Sequence, residues 1–166
     1  MVEFLNRQRT PMGAAYPILA MVIVHRLVEV AISITPLRFD DVTWRFGATG
    51  LLIGAAPMIA LAVALIFIVA SLLDNRIGAR WVGILAIVFA VIVAVSVLSF
   101  GLDALQVRRM IREDAKPGFD DASLKSLMIA VLFVPTLLWT GWKGIQFAQG
   151  ANERRDVDGP PIVVGG

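Results

Sequence analysis

The chain has 166 residues, 58% of them hydrophobic, and a mean hydropathy of +0.79, outside the usual range for soluble domains. A net charge of +2 is too small to recruit nucleic acid, and the absence of cysteine excludes disulfides, thiolate metal sites, thiol redox relays and cysteine nucleophiles. The length leaves room for membrane spans and their connections, with no separate soluble domain.

The chain opens with Glu3, Arg7 and Arg9, then Pro11 and Gly13. This start resembles the charged region of a signal peptide, with Ala14 to Val24 as its apolar stretch. No small-x-small cleavage site precedes His25 and Arg26, so the segment is read as an uncleaved first span over residues 14–35, ended by Pro36. Phe39 and Trp44, in the polar connection that follows, fit an interfacial aromatic belt.

Residues 46–73 carry no formal charge and lie between Arg45 and Asp74. As a helix this stretch reaches about 40 Å, more than the ~30 Å of a bilayer's hydrocarbon. It anchors the whole reading as the second span, over 47–73. Pro57 predicts a kink or close packing, and Gly50 and Gly54, extended by Gly47, form a small-xxx-small face. That face suits packing within the bundle, or a seam with a partner.

Asn75 and Gly78 mark a tight turn into the third span, over 81–103. Good helix formers continue from Ala104 to Ala115, which predicts that the third helix extends beyond the bilayer by two or three turns. Asp120, Asp121 and Ser123 suit an N-terminal cap for the fourth span, over 124–147. Thr136 and Thr140 are expected to bond their own backbone near Pro135. Trp139 and Trp142 mark the interface at the far end of this span, and residues 150–166 are expected to form a flexible tail. The fold class is therefore all-α and integral to the membrane: a bundle of four transmembrane helices with the third extended beyond the bilayer. Basic residues divide equally between the two sides. The early Arg7 and Arg9 place both termini in the cytoplasm, and the setting expected is a bacterial inner membrane.

Of the four spans, the first alone carries ionisable groups at depth, namely His25, Arg26 and Glu29. A charge near the bilayer centre costs about 2.5–3.5 kcal/mol even on lenient scales. Spacings of three and four bring these groups together on adjacent turns, and Ser33 continues the stripe. Mutual neutralisation that locks the first helix onto the bundle is the plainest reading. A shift of the span towards its N-terminus, which would leave these residues at the interface, is another. An ion pathway and a docking site for a partner's polar group are the functional alternatives.

Val28, Glu29 and Val30, followed by Ser33, Thr35 and Leu37, form a pattern that resembles the first helix of the small multidrug-resistance exporters around their single glutamate. The resemblance implies a small proton-coupled transporter that uses Glu29. The chain departs from it in its greater length, its long connection over 103–125 and the arginine beside the glutamate, which opposes proton exchange. His25, the one histidine, is a possible axial ligand for haem or for the magnesium of a chlorophyll, alone or with Met21 or Met58. That alternative describes a pigment- or haem-binding subunit of a photosynthetic or respiratory complex, although nothing in the sequence requires a cofactor or a metal.

Arg108, Arg109, Arg112 and Lys116 offer a surface for anionic lipid head groups or for a partner, or simply a solvated helical face. No paired carboxylates, phosphate loop or nucleophile motif accompanies these features, so no enzyme is expected. The function expected is a non-catalytic accessory or scaffold subunit. Its partners are the lipid bilayer and other integral membrane proteins, or further copies of the chain itself.

Overall fold

The computed structural model describes residues 2–157, with side-chain surroundings for residues 13–150. It is all-helical over the described residues, and each of its four long helices is long and apolar enough to cross a membrane. These are α1 (Val2–Ser33), α2 (Val42–Leu72), α3 (Arg76–Met110) and α4 (Lys116–Val157), with a 3-10 turn at Glu113–Ala115 between the last two.

Short connections make successive helices antiparallel neighbours. At the start of α2, Asp41 is the N-cap and accepts from the backbone N–H groups of Thr43 (2.8 Å) and Trp44 (3.2 Å). Between α2 and α3, Asp74 takes a left-handed conformation at φ 49°, and the Asn75 side chain accepts from Gly78 N–H at 2.9 Å. A Cβ on Gly78 would stand 2.8 Å from the Asn75 amide, so glycine is what lets that cap fold over.

The helices pack as a trio with one outlier. α2, α3 and α4 contact one another, whereas α1 lies against α2 alone. The core is made largely of small residues, among them Ala55, Ala60, Ala86 and Ala90, with Ile59, Val63 and Leu137 between them. Small side chains let helix backbones approach where no water drives them together. Large apolar side chains such as Leu61, Val95, Leu98 and Val131 point outward from every helix of the trio. That arrangement inverts the distribution of a water-soluble domain and matches a membrane protein.

α3 presents one buried edge: Ala79, Gly83, Ala86, Ala90, Val93, Ser96, Phe100, Asp103 and Val107, spaced by threes and fours. Its closest approach is to α4. A Cβ on Gly83 would stand 2.7 Å from the Gly141 carbonyl oxygen, and one on Gly144 would stand 2.7 Å from that of Ala79. At the opposite end, Phe46 of α2 stacks on Phe100 of α3 (centroids 4.6 Å apart) and on Phe119 of α4 (5.1 Å).

Around α4, three boundaries differ from the sequence expectations. α3 stops at Met110, where Ile111 turns extended, instead of running to Ala115. α4 then starts at Lys116, so Asp120, Asp121 and Ser123 lie within the helix and do not cap it. Pro117 tolerates this because a first-turn proline lacks only an N–H that the helix would leave unpaired. The early reversal brings Phe119 onto Phe46 and Asp120 onto Arg108, contacts that outweigh the helix propensity of residues 111–115. At its far end α4 continues to Val157, into the stretch expected to be a tail; residues 158–166 lie outside the described residues.

Candidate functional site: a polar stripe on α1

α1 owes its position to two anchors. Val30 is buried in the core cluster, with Ile23 and Ile34 packed against it. Trp44 Nε1 donates to the Ile34 carbonyl at 3.0 Å, tying the end of α1 to the first turn of α2. These anchors use one face of the helix. His25 and Glu29 lie off that face and are exposed, and the Glu29 side chain is 50% accessible.

Arg26 is half-buried, and its Nη1 donates to Glu29 Oε2 one turn along, so the two charges neutralise each other on the helix surface. Its Nε is buried without a hydrogen-bond partner. Ser33 comes next to Glu29 without engaging its carboxylate, because Ser33 Oγ donates to the Glu29 backbone carbonyl at 2.8 Å. Among the described residues the stripe is thus one internal ion pair, one imidazole without a hydrogen-bond partner and one satisfied hydroxyl. His25 and Met21 both sit on the exposed surface, one turn apart. Two residues so placed on one helix cannot approach a single macrocycle from opposite faces.

Distances along the bundle give the stripe its height. On α3, Arg80 and Asp103 are separated by about 35 Å of helix, and on α4, Lys125 and Lys143 by about 27 Å. These charges define two levels with apolar surface between them. Ile34 lies at the upper level, beside Trp44 and Arg45. Glu29 is about 7 Å below it along α1 and Arg26 about 12 Å below.

A second polar cluster went unread in the sequence. Arg45 of α2 holds Asp103 of α3 through Nη2–Oδ1 (3.1 Å) and Nε–Oδ2 (3.3 Å), while its Nη1 donates to the Phe39 carbonyl at 2.8 Å. Asp103 is only 4% exposed, and Ser99 Oγ stands 3.5 Å from its Oδ2. The Phe39 carbonyl ties the pair to the connection from α1, and the stacked Phe46 and Phe100 follow one and three residues away along α2 and α3. The available signal was the placement of opposite charges at matching ends of two consecutive antiparallel spans.

The basic group at the end of α3 and in the turn that follows is mostly self-satisfied. Arg108 makes a bidentate pair with Asp120 (2.7 and 2.8 Å), Arg112 pairs with Asp114 at 3.4 Å, and Lys116 pairs with Glu113. Among the described residues Arg109 makes no ion pair. A Cβ on Gly50 would stand 3.4 Å from Phe100, and one on Gly47 or Gly54 would meet nothing within 4 Å, so within the bundle the tight glycine contacts are those of Gly83, Gly141 and Gly144. Thr136 and Thr140 donate to the carbonyls of Leu132 and Thr136, each at 2.8 Å. Among the described residues no three His, Asp or Glu side chains gather as a metal site.

The fold and the stripe describe a bundle of four helices, each long and apolar enough to cross a membrane, with one of them peripheral and polar-faced. No known protein family, characterised relative or solved structure matches the chain.

Proposed function

We propose that the protein is a non-catalytic integral membrane subunit that associates with partner membrane proteins through α1. The observation that carries this reading is Glu29, half exposed on a helix with a single neighbour. With hydrocarbon filling the space between the two charged levels, Glu29 faces lipid about 7 Å inside it and His25 about 13 Å. Ionisable groups at such depth are costly unless protein covers them. Arg26 meets part of that cost, and a partner helix meets the rest.

On this reading the last two turns of α3, with Arg108 and the Glu113–Ala115 turn, stand above the hydrocarbon on one side. Both termini then lie on the other side, taken as the cytoplasm of a bacterial cell. The stripe points away from the trio, an arrangement that favours docking over a conduction path between helices.

Purification in mild detergent from its own membrane, followed by mass spectrometry, tests the proposal. A stoichiometric membrane partner is expected, and Glu29→Ala or Arg26→Ala should lower its recovery. A protein recovered alone, equally so with either substitution, would overturn the association. A second reading rests on the exposed imidazole of His25, which leaves room for a pigment. A visible absorption band lost in His25→Ala would establish that role.

A further inference from the structure

The lipid-facing side of α1 carries a pattern beyond its individual polar groups. Ala15, Ile18, Val22, His25, Glu29 and Ile32 are spaced three, four, three, four and three, the alternation of a seam between two helices. None of the six is buried in the fold; Ile18 is 64% and Ile32 70% exposed. Val30, Ile23 and Ile34, which hold α1 to the core, belong to another face.

We propose that this seam is filled by α1 of a second copy of the chain, running parallel to the first. The proposal rests on the association reading above and names its partner. Two copies inserted by the same route share one orientation, so their α1 helices are parallel and their polar residues lie at equal depth. The seam carries a donor, the His25 N–H, and an acceptor, the Glu29 carboxylate, one turn apart. Across a two-fold axis each His25 faces the partner helix one turn from its Glu29, and two reciprocal hydrogen bonds form from one pair of residues. Such self-complementarity is what an isologous interface requires. Arg26, on the flank of the seam, stays on its own Glu29 and keeps the two carboxylates from meeting as bare charges.

The absence of native cysteine makes the test direct. Single cysteines are placed in the full-length chain at Val22 and Ile32, on the seam, and at Val24 and Leu27, on the exposed opposite side. Membranes are then oxidised mildly. Val22→Cys and Ile32→Cys should give cross-linked dimer, at least about tenfold above Val24→Cys and Leu27→Cys. Adding His25→Ala and Glu29→Ala to the Ile32→Cys chain should lower the yield about three- to tenfold, the usual worth of interhelical hydrogen bonds in lipid. An unchanged melting temperature shows that the fold is intact. Equal cross-linking on both sides, or none, overturns the proposal. If no cross-link forms but Glu29→Ala still releases a different membrane protein, self-pairing fails and the association reading stands. If that release also fails, both fall.

Discussion

Arg45 and Asp103, 58 positions apart in the chain, fasten α2 to α3 through two hydrogen bonds of 3.1 and 3.3 Å. Removing the carboxylate leaves the guanidinium with the Phe39 carbonyl and partial access to solvent. Asp103→Ala should therefore cost about 1–3 kcal/mol, less than a fully buried pair, read as a lower midpoint in denaturant titration of detergent-solubilised protein. The exchange Arg45→Asp with Asp103→Arg should recover part of that loss, because both charges remain at the same level.

The α3–α4 contact is sterically closed. Gly83→Ala should destabilise the bundle by about 1–3 kcal/mol, since its methyl group would stand 2.7 Å from a backbone oxygen that side-chain rotation cannot move. Gly54→Ala is the control. It meets open space and should be neutral, or stabilising by up to about 1 kcal/mol through helix propensity.

Arg108→Ala should lower stability only slightly, despite the bidentate geometry with Asp120, because both partners are nearly half exposed. The effect should shrink as salt is raised, which thermal melts at low and high ionic strength would reveal.

Within the α1 stripe the members should separate cleanly. Ser33→Ala should leave partner recovery unchanged, since its hydroxyl is already spent on the Glu29 backbone carbonyl. Glu29→Ala should reduce recovery, and the two pull-downs run side by side distinguish a docking role from helix-internal bonding.

Much of this architecture was legible because lipid imposes a simple rule: long uncharged stretches become helices. Residues 46–73 announced α2, and the Asn75–Gly78 turn announced the hairpin into α3. The end of α3 was hidden because propensity sees only neighbours in sequence, whereas Met110 is the last helical residue for reasons that lie in Phe46 and Asp120. The tightest glycine contact within the bundle was hidden for a related reason. Gly50 and Gly54 fit a familiar spacing, yet the pair Ala79 and Gly83 has the same spacing, and only the crossing with Gly141 and Gly144 decides between them. Asp103 looked like a span terminus, and its partner became visible once two antiparallel helices were set side by side.

The lone contact of α1 bears on how the protein is made. Of the four helices α1 leaves the ribosome before the others and its one neighbour in the fold, α2, comes after it, while α2, α3 and α4 interlock with one another. Biogenesis therefore divides into the closing of a rigid trio and the later settling of a tethered outrigger. During that interval the newborn α1 is free to choose its company.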